Sequence, residues 1–207
     1  MAKLQSSKQL RVLDFDIEVR PTAFYGGDFV TKQPTAIAWK FIGSRGKPKV
    51  AVIGESYDTR RVYEEEIAML EAFRVAYDEA DVVTGHYIRG FDLPVLNARM
   101  IKHRLPMLGK KLTQDTKGDF ARAAATSKSQ ENLGAMFELA HPKIPMNTTL
   151  WELGNVLLPE GIVATKARAL GDVEQHIELR GEMLADGLLG PMQEWSPRGG
   201  RVIGYTP

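Results

Sequence analysis

Asp16-Ile17-Glu18 is the tripeptide whose residue types and spacing point most directly to chemistry. It closes a run of strand-forming residues, Leu10 to Ile17 (LRVLDFDI). On a strand, residues two apart face the same side. Both carboxylates then share one space, while Ile17 turns toward the core. Two like charges ~5–6 Å apart cost on the order of 3 kcal/mol at an effective dielectric near 20. A solvated strand end tolerates that cost. A divalent cation offsets it, and Mg²⁺ and Mn²⁺ prefer carboxylate oxygens. A further carboxylate, Asp92, lies in DVVTGHYIRGFDLPVLNARM, Asp81 to Met100. There a short strand (Asp81 to Thr84) ends at Gly85, and a helix begins near Phe91-Asp92. The first helical turn favours an anion, and Pro94 fits that turn. A helix-capping Asp fits the same pattern.

The elements that must position these residues follow from hydrophobic periodicity. Thr35 to Ile42 and Lys49 to Ile53 read as strands joined by the turn GSRGKP, a hairpin. Pro21 to Pro34, with Gly26-Gly27, reads as a loop. Arg60 to Tyr77 carries Val62, Ile67, Leu70, Phe73 and Ala76 as a helical stripe with an acidic outer face. Phe91 to His103 is helical and ends before Leu105-Pro106, and Lys111 to Asp115 is a fifth strand. Gly118 to Ser129 reads as a mobile loop. Gln130 to Ala140, Thr148 to Leu158 and Ile162 to Leu184 read as helices. Gly187 to Pro207, rich in Gly and Pro, reads as an extended tail after a domain spanning residues 1–186. The expected fold is α/β, with an antiparallel hairpin inside one mixed sheet.

Composition narrows the chemistry. The 207 residues are 43% hydrophobic and 26% charged, as in a globular domain with one ordinary core. With no cysteine, a disulfide framework, a thiolate zinc site and a Cys nucleophile are all excluded. That suits a reducing cytoplasm. No 18-residue apolar run or signal-peptide pattern is present, so no membrane partner is expected. The net charge of +1 excludes a uniformly basic nucleic-acid coat but not a local patch. Arg99 to Lys128 holds eight Lys or Arg against Asp115 and Asp119, whereas Val62 to Asp81 holds seven acids against Arg74. Such polarity fits a face that meets phosphates, and equally a solvated helix and loop. Trp195, Arg198, Arg201 and Tyr205 alternate rings and cations, which suits single-strand stacking or docking onto the domain. The histidines have no mutual metal-ligand spacing, and the glycine pairs lack a phosphate-loop context.

Asp-x-Glu on a first strand, followed by Gly85-His86, Phe91-Asp92, Pro94, Leu96 and Arg99, resembles the DEDD superfamily of 3′–5′ exonucleases. That superfamily includes DnaQ-like proofreading nucleases and the exonuclease domains of family B polymerases. The third motif would be Gly171-Asp172-Val173 on a late helix whose stripe is Leu170, Val173, Ile177 and Leu184. The resemblance runs from Leu10 to about Leu184. It implies an RNase H-like fold whose five-stranded sheet has its second strand antiparallel. It also implies two divalent cations, Mg or Mn, held by Asp16, Glu18, Asp92 and Asp172. Ile17, His86, Tyr87 and Phe91 fall at positions implied to touch substrate.

The sequence departs from this family where a Tyr four residues, or a His five residues, before the last Asp would orient the attacking water. Here those positions are Arg168 and Ala167. Arg cannot serve as a base at neutral pH, but its fork suits a phosphate. His176, one turn after Asp172, is a candidate for the proton-transfer role. Tyr87 stands where many relatives carry Asn, and its ring suits stacking on a terminal base. The expected activity is 3′–5′ exonuclease on DNA more than RNA, at a single-stranded or frayed 3′ end, releasing 5′-mononucleotides. The expected setting is a stand-alone enzyme or a subunit recruited by replication or repair proteins. Two alternatives stay open: a binding protein of the same fold that no longer cleaves, and an RNase H-fold structure-specific endonuclease.

Overall fold

The computed structural model describes residues 9–23, 30–120 and 127–197. Strand β1 (Val12–Ala23) alternates by residue type along its core half: Leu13, Phe15 and Ile17 are buried apolar residues, and Asp14, Asp16 and Glu18 point the other way. β2 (Val30–Phe41) pairs antiparallel with β1, with Asp16 opposite Ala38 and Glu18 opposite Ala36. β3 (Lys49–Val52) pairs antiparallel with β2. β4 (Val82–Gly85) and β5 (Lys111–Asp115) extend the sheet in parallel on the other side of β1. β6 (Gln193–Trp195) closes that side antiparallel to β5. The order is β3-β2-β1-β4-β5-β6.

Each sheet face has its own helices. Leu13, Phe15, Ile17, Ile37 and Trp39 pack with Met69, Leu70 and Phe73 of α1 (Val62–Glu79) and with Leu93, Leu96 and Met100 of α2 (Asp92–Lys102). On the opposite face the β2 residues are the small Ala36 and Ala38. They admit Ile162, Ala169 and Val173 of α5 (Pro159–Ala185). α3 (Gln130–Met136) packs Leu133 against Leu179 and Met183 of α5. α4 (Thr148–Asn155) crosses α5 so closely that a Cβ on Gly161 would lie 2.0 Å from the Gly154 backbone nitrogen. Among the described residues no helix is long and apolar enough to cross a membrane.

The α/β class, the hairpin and the antiparallel second strand are as read from sequence; three details differ. The sheet has six strands instead of five, because part of the expected tail pairs with β5: Lys111 lies opposite Trp195. The Trp195 ring packs against the core, so within the described residues it docks on the domain. Arg198, Arg201, Tyr205 and the glycine pairs at 26–27 and 199–200 lie outside the described residues. The expected loop from Pro21 to Pro34 is largely strand, since β1 continues to Ala23 and β2 resumes at Val30. Pairing of the two long strands overrides the turn residues there. Of the expected mobile loop, Phe120 is buried and bridges to Leu189, and residues 121–126 lie outside the described set.

Candidate active site

The acidic face of β1, the first turn of α2 and the middle of α5 enclose an open cleft of about 310 Å³. Asp16, Glu18 and Asp172 each bring one carboxylate oxygen to within 4.8 Å of the others. Asp92 faces the same cleft from the start of α2. Its carboxylate receives backbone amide hydrogen bonds, from its own N–H and from that of Ile17. Ile17 therefore has two roles: its side chain sits in the core, and its backbone N–H steadies Asp92 where the residue lines the cleft. Gly85 is demanded by close approach, since a Cβ there would meet the Phe15 carbonyl oxygen at 2.6 Å. That contact seats the end of β4 beside β1.

The carboxylates raise one another's proton affinity. Removal from bulk water is the largest cause for each, and mutual repulsion adds to it. Asp16 is held well above the usual carboxylate range by burial and then by Glu18, Asp172 and Asp92. Burial and Asp172 push Glu18 up to about 8, against the pull of Arg168. Asp92 is also pushed up to about 8, by burial and by Asp115 and Glu18, against its backbone hydrogen bonds. Burial raises Asp172 to about 6, with Arg168 restraining the rise. Oδ1 of Asp172 is buried and has no hydrogen-bond partner. An orphaned buried oxygen beside converging hard donors fits Mg²⁺ or Mn²⁺.

Along α5, Arg168, Asp172, His176 and Arg180 recur every four residues and so share one face. This face runs antiparallel to β1. Arg168 Nε lies 3.6 Å from Glu18 Oε1 and donates to Asp172 Oδ2 at 2.9 Å, and its Nη1 donates to the Ile144 carbonyl. Asp172 faces Asp16. His176 Nδ1 pairs with Asp14 Oδ2 at 2.6 Å, and its Nε2 bonds the Thr116 hydroxyl at 2.8 Å. Arg180 turns to Gln114 Oε1, donating at 3.0 and 2.7 Å.

Nine of the ten residues singled out from sequence line this cleft: Asp16, Ile17, Glu18, His86, Tyr87, Phe91, Asp92, Arg168 and Asp172. His176 does not. It is 2% exposed, with both ring nitrogens engaged behind the site, because the i+4 face of α5 beyond Asp172 already lies over Asp14. This placement gives no support to the proton-transfer role expected of it. His86 meets the far side of the same chain, its Nδ1 lying 3.0 Å from the Thr116 hydroxyl. Burial lowers the His86 ring pKa to about 4, so this ring is neutral at ordinary pH.

Sequence reasoning missed several cleft residues. Lys117 stands over the Tyr87 ring, 4.1 Å from its centroid. Lys143 lies 3.4 Å from Asp172 Oδ2, and Trp151 and Gln130 complete the wall. Nothing in their local sequence marks Lys143 or Trp151. Asp115 is different: an Asp ending a strand before Thr-Lys-Gly has the pattern of an Asx turn. Its carboxylate accepts from the N–H groups of Tyr87, Arg89, Lys117 and Gly118 at 2.9 to 3.1 Å. These bonds hold Tyr87 at φ +70°, a left-handed conformation unusual for an aromatic residue, and leave its ring exposed at the rim.

The basic stretch is not one face. Arg99 is buried and serves α2: its guanidinium meets Glu66 at 2.5 and 2.7 Å, with Gln33 and His103 completing the group. Arg89 pairs with Asp119. Of the stretch, Lys117 alone lines the cleft among the described residues.

A mixed α/β sheet carrying acids on its central strand, closed by a long helix bearing another, defines the class: an RNase H-like nuclease fold. Residues 2–136 match the model of the DNA polymerase family B exonuclease domain, and the chain belongs to that family. The matched segment ends before Asp172, and the fold brings that residue to the other acids. Among solved structures, the chain is similar to the family B DNA polymerase of the hyperthermophilic archaeon Pyrobaculum calidifontis. The TM-score is 0.53 and the identity 21%, over 85% of this chain and 25% of that one. The chain thus spans about a quarter of that polymerase's length. No curated protein matches the sequence.

Proposed function

We propose that the protein is a metal-dependent 3′–5′ exonuclease acting on DNA in preference to RNA and releasing 5′-mononucleotides. The observation that carries the reading is the convergence of Asp16, Glu18 and Asp172 oxygens within 4.8 Å, with Asp92 across the cleft and Asp172 Oδ1 left without a partner. Asp16, Glu18 and Asp172 would hold Mg²⁺ or Mn²⁺, with Asp92 at the other wall. When bound, the metal supplies Lewis-acid polarisation of the scissile phosphodiester and charge stabilisation at the leaving 3′ oxygen. The chain's own residues do the rest. Tyr87, fixed by Asp115, offers a ring for the terminal base, and Lys117 beside it offers a cation for a phosphate. Phe91 presents an apolar surface at the cleft, and neutral His86 can bond a substrate group without adding charge. Replication or repair proteins are the expected partners, and the cytoplasm the expected compartment.

One observation favours a second reading, a binding protein that has lost cleavage. Arg168 stands where the resemblance implies a water-orienting Tyr, and it is tied to Glu18 and Asp172. Incubation of 5′-labelled single-stranded DNA with Mg²⁺ or Mn²⁺ separates the two. A ladder shortening from the 3′ end, abolished by EDTA and reduced by several orders of magnitude in Asp92→Ala, is the expected result. No ladder on single-stranded, duplex or RNA substrates, with metal-independent binding retained, would establish the second reading. A circular substrate left intact distinguishes either from an endonuclease.

A further inference from the structure

We propose that this site holds a single divalent cation, and that the Arg168 guanidinium is its built-in second positive centre. The inference rests on the exonuclease reading for what the site is for, and on the geometry for how many ions it takes.

Rung by rung, α5 supplies β1 with a basic or hydrogen-bonding partner. Glu18 has Arg168 at 3.6 Å, and Asp14 has His176 at 2.6 Å. The rung between them is different: Asp16 meets Asp172, carboxylate against carboxylate. Of these three rungs, among the described residues, it is the one where acid faces acid. Asp172 is itself served on one side only. Arg168 Nε and Lys143 Nζ both address Oδ2, at 2.9 and 3.4 Å, whereas Oδ1 is buried and unpartnered. One oxygen is occupied by protein cations and the other is kept for a ligand beside Asp16.

Charge gives the same count. Fully ionised, Asp16, Glu18, Asp92 and Asp172 carry four negative charges. Arg168 and Lys143, both against Asp172, offset two, and one divalent ion offsets the rest, with Lys117 on the cleft wall adding one more positive charge. Two divalent ions beside these two side chains would leave a net positive charge in a partly desolvated cleft, where such an excess is costly. Nor is Arg168 a loose surface residue that swings aside for a second ion. Its side chain is 9% exposed, and Nη1 is anchored on the Ile144 carbonyl, away from the acids. A guanidinium held in this way stands ready to meet phosphate oxygens through its planar fork.

The test is ion stoichiometry. Mn²⁺ is titrated into wild type and Arg168→Met by isothermal calorimetry and electron paramagnetic resonance. Each titration is repeated with a deoxynucleoside 5′-monophosphate present, so that an ion recruited by product is also counted. The expected result is one ion per chain for wild type in both conditions and a second ion in Arg168→Met. Arg168→Gln keeps hydrogen-bond donors without the charge and carries the same expectation if Arg168→Met fails to fold. Two ions in wild type would overturn the inference, as would none, or an unchanged single ion in both variants. The ladder assay judges the exonuclease reading separately. Wild type that binds two ions and still shortens DNA loses this inference and keeps that reading; wild type that binds one ion and cleaves nothing does the reverse.

Discussion

Glu18, Asp92 and Asp172 are acids whose protons the folded state holds more tightly than an unfolded chain does. For such a group stability is complete below the unfolded pKa and declines as pH rises toward the folded one. For Glu18 the decline runs from 4.5 to about 8. A divalent ion on the ionised acids reverses that decline, because it binds the form the bare fold disfavours. The rise in melting temperature caused by Mn²⁺ is therefore expected to grow steadily between about pH 6 and about pH 8, the range set by Asp172 and Glu18. A pH-independent shift would contradict it. Glu66 shows the opposite sign. Burial alone would raise its pKa, but hydrogen bonds from Arg99 and Gln33 bring it below the ordinary value, so its contribution is present above that value and fades in acid. Arg99→Met strands Glu66 in the interior and is expected to cost about 3–5 kcal/mol by urea denaturation. His176→Ala removes the hydrogen-bond partner of the buried Asp14 Oδ2 and is expected to cost about 1–3 kcal/mol by the same measurement. The His176→Ala protein that remains folded is expected to keep cleaving, since the ring touches nothing in the cleft. Loss of cleavage at full stability would restore a proton-transfer role for this histidine.

At the scale of elements, what was legible in the sequence was what depends on local pattern. β1 announces itself by alternation of Leu13, Asp14, Phe15, Asp16 and Ile17, and that same alternation assigns its acids to one face. The start of α2 is legible from Phe91-Asp92-x-Pro94. Asp172 was findable only because the resemblance placed an Asp on a late helix. What stayed hidden depends on contacts far apart in sequence. β6 has three residues and no period of its own, and exists because the edge of β5 is there to pair with. Lys143 reaches Asp172 only because residues 137–147 wrap back over α5. His176 lies outside the cleft for a related reason: helical spacing puts it on the face of Asp172 but does not say how far along β1 the site extends. The α4–α5 crossing is equally nonlocal. Gly161→Ala would force a Cβ into the backbone at Gly154 and Leu153, so α4 must shift, and Trp151 with it. The expected outcome is a loss of at least about 1–3 kcal/mol, with weaker oligonucleotide binding in the protein that stays folded. Binding unchanged despite the lost stability would show that α4 does not shape the cleft.

For the molecule as a whole, the even charge balance hides an acidic α1 on one sheet face and a cleft on the other whose rim carries Lys117 and Lys143. Binding of a short single strand is thus expected to rest on few phosphate contacts and to depend only modestly on salt. Lys117→Ala should flatten the slope of log affinity against log salt by ~0.7, the value for one contact on a single strand. An unchanged slope would remove Lys117 from the phosphate path. The antiparallel lie of α5 along β1 has a last consequence. Four residues of helix advance ~6.0 Å, whereas two residues of strand advance ~6.6–6.8 Å. The two rulers behave as a vernier, coinciding near one mark and drifting by ~0.6–0.8 Å with each step away from it. Arg168, Asp172 and His176 fall within the window of coincidence; Arg180, a step further, has already left β1 for Gln114 on β5. A protein built this way can exchange the residue at a mark, as at Arg168, but it cannot lengthen the scale. One residue inserted in α5 before Arg168 would turn the three marks about 100° off the strand together.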